Sequence, residues 1–177
     1  MKTLHSALIL MPFVLLFSFS AAGQSSKEKK AAQTEQEFQK TKALIESNRF
    51  LFKLDHVFSQ GGHDLTRFSP EGSITVTDSL VKGHLPFFGR AYSLPYGEGG
   101  GIEFDGIMKD RKIKIENRKR KKSVIYRFSI TGQNDTYQIT MDIAPGGNCS
   151  VNLNSNNRAP ISYSGQVTPL AEDVKAE

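Results

Sequence analysis

Val124-Ile125-Tyr126-Arg127-Phe128-Ser129-Ile130, then Gly132-Gln133-Asn134-Asp135, then Tyr137-Gln138-Ile139-Thr140-Met141-Asp142-Ile143, reads as two strands and the turn between them. Val124, Tyr126, Phe128 and Ile130 fall on every second position, opposite Ile125, Arg127 and Ser129. Tyr137, Ile139, Met141 and Ile143 repeat the pattern opposite Gln138, Thr140 and Asp142. Successive side chains of a strand point to opposite faces, so each run reads as a strand with one buried face. The Gly, Asn and Asp between them tolerate the positive φ of a tight turn, which makes the pair antiparallel.

The same period extends both ways. Downstream, Pro145-Gly146-Gly147-Asn148 is a second turn, followed by a shorter alternation at Val151 and Leu153. Upstream, Ile113 and Ile115 interleave with Lys112, Lys114 and Glu116, and Ile102 and Phe104 with Glu103 and Asp105. Ile74 and Val76 form a β-branched strand with Thr75 and Thr77, and Leu80-Val81 follow the bend at Asp78-Ser79. Phe50, Phe52 and Leu54 alternate before Val57-Phe58 and the Gln60-Gly61-Gly62 turn. No helical stretch separates these strands, so parallel βαβ crossovers are excluded. The pattern predicts a mainly β domain. It is an antiparallel meander of about seven or eight strands, closed as an open barrel or folded into a two-layer sheet.

One helix is predicted ahead of the strands. Lys27 to Asn48 contains no Gly or Pro, and Phe38 and Ile45, seven apart, give it a thin apolar stripe flanked by Thr34, Thr41 and Lys42. So thin a stripe predicts weak packing on the domain. The expected organisation is a signal peptide over 1–23, a helical segment over 24–48, the β domain over 49–167 and a frayed tail over 168–177.

The signal peptide is read from order. Lys2 and His5 precede an apolar run from Ala7 to Phe19, and Ser20-Ala21-Ala22-Gly23 supply the small residues of a cleavage site. The run is interrupted by Pro12 and is shorter than the roughly 20 residues a membrane span needs. Cleavage is expected ahead of Gly23 or Gln24, leaving a periplasmic or secreted protein with no transmembrane segment. A lipoprotein signal would have a cysteine where Gln24 stands, so no lipid anchor is expected. Cys149 is the only cysteine of the 177 residues, so no intramolecular disulfide can form. The formal charge is +5; export argues against nucleic acid as the partner, and the surplus either faces an anionic membrane or polysaccharide or, as is commoner, only keeps the protein soluble.

One segment breaks the meander. From His84 to Gly101, eighteen residues hold four aromatics, two prolines, five glycines and one arginine. Irregular connections this long are functional or disordered, and this one is too aromatic for disorder. Within it, Pro86-Phe87-Phe88-Gly89-Arg90-Ala91-Tyr92-Ser93-Leu94-Pro95-Tyr96, followed by Gly99-Gly100-Gly101-Ile102-Glu103-Phe104-Asp105-Gly106, resembles the domain of unknown function 4251 family, exported proteins of Bacteroidetes-type bacteria. The likeness covers Ala43 to Ser164 and takes in Asn48-Arg49-Phe50 and Gly146-Gly147-Asn148-Cys149. It implies a Gram-negative envelope location and carries no activity.

Phe87, Phe88, Arg90, Tyr92 and Tyr96 are the candidate ligand-binding residues. A guanidinium stacked on rings still offers planar donors to a carboxylate or phosphate. The alternative is a structural plug in which Arg90 pairs internally with Glu103 or Asp105. Arg118, Lys119, Arg120, Lys121 and Lys122 form a second candidate, a contact for anionic surfaces; the alternative is a solvated hairpin tip. Gly97-Glu98-Gly99-Gly100-Gly101 is followed by a strand, not by the helix a phosphate loop requires. His56, His63 and His84 share no metal-ligand spacing, and no serine sits in a Gly-x-Ser-x-Gly turn. No cofactor, metal or catalytic residue is expected. The function predicted is a non-catalytic binding or interaction module of the envelope, its partner a glycan, a peptide or an envelope protein. An envelope-acting hydrolase and a purely structural partner are the alternatives.

Overall fold

The computed structural model describes residues 26–68, 71–92, 101–118, 121–132 and 135–171. The expected signal peptide and residues 172–177 of the expected tail lie outside them. Helix α1 (Ser26–Glu46) is followed by nine strands: β1 (Arg49–Phe58), β2 (Ser73–Thr77), β3 (Leu80–Leu85), β4 (Ile102–Ile107), β5 (Lys109–Arg118), β6 (Lys121–Thr131), β7 (Thr136–Ile143), β8 (Asn148–Ser155) and β9 (Ile161–Pro169). All nine belong to one antiparallel sheet in the order β4-β3-β2-β1-β9-β8-β7-β6-β5, curled into a half-barrel.

The order departs from a plain meander at two points. β1 would be an edge strand, yet it sits between β2 and β9. β4 and β5, consecutive in the chain, stand at opposite edges of the sheet and are joined by Met108 alone. A one-residue link between the two edges forces the sheet to curl until they meet at that corner. Met108 is buried there, its sulfur 3.2 Å from the Tyr126 hydroxyl.

Curling puts the apolar faces of β1, β2, β6, β7 and β8 on the inside, whereas on the edge strand β5 Ile113 is half-buried and Ile115 is exposed. Phe50, Phe52, Ile74, Val76, Val124, Tyr126, Phe128, Ile130, Ile139, Met141 and Val151 are all buried in one cluster. Phe50, Tyr126 and Phe128 meet edge to face, with centroids 5.5 and 5.7 Å apart. The alternate residues, such as Gln138, Ser150, Asn152 and Arg127, stay at the outer surface.

The helix is bound more closely than its thin stripe suggests. Phe38 and Ile45 are 1% and 0% exposed and belong to the main core. A half-barrel leaves a narrow mouth, and a narrow stripe is enough to fill it; α1 lies against β1, β6 and the Pro145–Gly147 turn. Asn48 ends the helix in the left-handed region at φ 53°, and its side chain accepts from the Tyr126 hydroxyl at 3.1 Å.

β1 carries a bulge between Leu54 and His56. Opposite it stands Gly165, where a Cβ would lie 2.0 Å from the Lys53 carbonyl oxygen, so the strands can approach only at glycine. β9 itself runs on through Thr168 and Pro169, the first two residues of the expected frayed tail.

Candidate functional site

The segment after β3 closes the end of the sheet away from the start of β1. The Tyr163 hydroxyl donates to the Pro86 carbonyl at 2.8 Å. Phe87 is half-buried against the core and carries the Arg158 guanidinium 5.1 Å above its ring. Residues 90–92 then lie along the β8–β9 turn as a short antiparallel bridge. Ala159 N donates to Arg90 O at 2.9 Å, and Tyr92 N to Asn157 O at 2.8 Å.

The buried arginine of this region is Arg158. It is 5% exposed, donates through Nη1 to the Gly101 carbonyl at 3.0 Å, and holds Nε 3.9 Å from Asp135 Oδ2. Asp135 is 7% exposed and is fixed by the Ser155 hydroxyl and by Thr136 N at 2.8 Å. A buried carboxylate and guanidinium, each with further hydrogen bonds, tie the β6–β7, β8–β9 and β3–β4 connections together.

The plug therefore exists, but with Arg158 in place of Arg90. Glu103 and Asp105 are engaged by His84 at 3.1 Å and Lys82 at 3.3 Å. Arg90 is exposed and makes no ion pair with a described residue, and Tyr92 is 65% exposed. Phe88, Arg90 and Tyr92 line a cavity of about 310 Å³, walled opposite by Ser59-Gln60-Gly61 and Ala159-Pro160. Of the five residues singled out from sequence, the structure brings these three together and turns Phe87 inward; Tyr96 lies outside the described residues.

The basic run is less free than its sequence suggests. Lys121 reaches across β6 to Glu116 at 3.4 Å and Asp142 at 3.2 Å, which raises its pKa above the usual lysine value, Asp142 being the main cause. Glu116 is lowered in turn by its hydrogen bonds to Lys114 and Lys121. Lys122 pairs with Glu35 of the helix, its ammonium 5.8 Å from the Phe38 ring centroid. Arg118 is exposed, and Lys119 and Arg120 lie outside the described residues.

A feature absent from the sequence reading lies on the outer face. A groove of about 810 Å³ runs over β1, β9, β8, β7 and the start of β6 beside the helix. The registers place His56, Ser164, Ser150 and Asp142 in one row across four strands. Ser123 also lines the groove; it is 2% exposed and its Oγ has no hydrogen-bond partner among the described residues. His56 Nδ1 stands 3.2 Å from Thr66 Oγ1 and 3.6 Å from Asp64 Oδ2. Asp64 is held below its ordinary pKa, chiefly by its hydrogen bonds from Thr66. His56 faces Ser164 by strand register, beside the bulge of β1. Cys149 is buried, and burial raises its thiol pKa, so it stays protonated and unreactive. Among the described residues no three His, Cys, Asp or Glu side chains gather as metal ligands, and no helix is long and apolar enough to cross a membrane.

Comparison with known proteins agrees with this architecture. The family described as Domain of unknown function (DUF4251) matches residues 32–167, a longer span than the sequence likeness, taking in most of the helix. The crystal structure of a DUF4251 family protein from Bacteroides eggerthii DSM 20697 is similar at a TM-score of 0.59 and 24% identity, over 81% of this chain and 93% of that one. At that identity the likeness speaks for the fold alone. No curated protein matches the chain.

Proposed function

This chain belongs to the DUF4251 family, and we propose that it works as an exported, non-catalytic binding module of the cell envelope. It captures ligands that carry a carboxylate or phosphate group. The observation that carries this reading is the division of labour between two arginines on one bridge. Arg158 is buried and holds the loop; Arg90 is exposed, unpaired among the described residues, and set beside Tyr92 and Phe88. Backbone hydrogen bonds on both sides of Ala91 fix the segment, so Arg90 is presented without the entropy cost of ordering a free loop. Its guanidinium supplies paired donors to an anion while the neighbouring rings cover the ligand's apolar parts. Export is supported by the basic, apolar and small-residue order of the first two dozen residues.

The test is Arg90→Ala on an oligosaccharide array with neutral, uronic-acid and phosphorylated spots. A charge-assisted hydrogen bond contributes about 1.5–3 kcal/mol, so acidic spots should lose roughly tenfold or more in affinity. Stability should change by less than about 1 kcal/mol, a shift of under about 4 °C in Tm. A parent protein indifferent to acidic groups, or a variant that melts far below it, would contradict the reading.

A further inference from the structure

We propose that the outer groove beside the helix is a second binding site, taking a neutral polyhydroxylated ligand: a short stretch of glycan laid across the strands. It is separate from the Arg90 cavity, which lies where β8 ends and β9 begins, whereas the groove lies where β8 starts.

The row comes first. His56, Ser164, Ser150 and Asp142 present one polar side chain per strand, and strands lie about 4.8 Å apart, so the row extends about 14 Å. Ser150 and Ser164 make no side-chain hydrogen bond among the described residues. A hydroxyl donates and accepts, which suits a ligand whose own groups are hydroxyls. The Asp142 carboxylate adds acceptors.

Charge then decides between ligand classes. The Lys121 ammonium is already matched by Glu116 and Asp142, and Lys122 by Glu35. Asp55, exposed at the rim, adds negative charge. A phosphate or sulfate would find these cations occupied and carboxylates beside them, whereas a neutral hydroxyl finds partners of both kinds.

Ser123 is the independent sign that the groove is built for an occupant. It stands on β6 in register with Glu116 and two residues from Lys121, which pairs with Glu116 and Asp142. A buried hydroxyl without a partner is unfavourable, and alanine at this position would remove that cost. Ser123 lines the groove wall, where a sugar hydroxyl would supply the partner that its Oγ lacks among the described residues. Ala144, Pro145 and Gly165 leave low relief for the C–H face of a ring.

The same array separates this site from the Arg90 cavity. The parent should bind neutral spots, and the double variant Ser150→Ala/Ser164→Ala should lose at least tenfold on them while keeping its acidic spots. Ser123→Ala should melt about 2–4 °C higher and still bind neutral spots more weakly. The proposal fails if no neutral spot is bound or if the double variant binds neutral spots as the parent does. It also fails if Arg90→Ala abolishes neutral binding while the double variant leaves it intact.

Discussion

Arg158→Ala is expected to cost about 3–5 kcal/mol of folding stability, the size of effect seen when one partner of a buried ion pair is removed. The substitution leaves the Asp135 side chain, 2% exposed, facing an empty space where a guanidinium stood 3.9 Å away. It also takes the donor from the Gly101 carbonyl and the cation from above the Phe87 ring. For a chain of this length the loss corresponds to a fall of roughly 6–20 °C in Tm. Removing both charges, Arg158→Ala with Asp135→Ala, should recover part of it, because no unpaired carboxylate remains inside. A melt of Arg158→Ala within 2 °C or so of the parent would mean that the clamp does not hold the loop.

Phe128→Ala should also cost about 3–5 kcal/mol. Phe128 is 3% exposed in the middle of β6, with its ring edge to face with Tyr126 at 5.7 Å. The curled sheet cannot collapse on the vacancy without breaking register with β5 and β7 on either side. Arg127→Ala, one residue away on the outer face, should stay within about 1 kcal/mol. Urea unfolding of the two variants measures the difference, and equal midpoints would show that Phe128 and Arg127 do not lie on a buried and an exposed face of β6.

How much of this was legible in the sequence depends on the range of the interaction. The buried faces of β6 and β7 and the turns at Asp78 and Gly146 are local events, written in alternation and in residues that accept positive φ. The meeting of Phe88, Arg90 and Tyr92 was also legible, since three neighbours on one loop need no tertiary information. Arg158 was not. In Asn156-Asn157-Arg158-Ala159-Pro160 it reads as a solvated turn residue, and its carboxylate partner is Asp135, on another connection. The strand β9 was diluted by Ser162, Ser164 and Gly165, and its place beside β1 is a long-range pairing that no local pattern encodes. The outer groove was hidden for a related reason. Ser150 and Ser164 are ordinary outward residues of their strands, and only the β1 bulge aligns His56 with them.

An Arg90 rim that binds as described holds an acidic ligand in the cell. Native mass spectrometry of the protein isolated from its own cells, parent beside Arg90→Ala, tests it most directly. The parent should carry a non-covalent added mass that collisional activation releases as an anion, and Arg90→Ala should be bare. A bare parent, or the same adduct on both proteins, would contradict it.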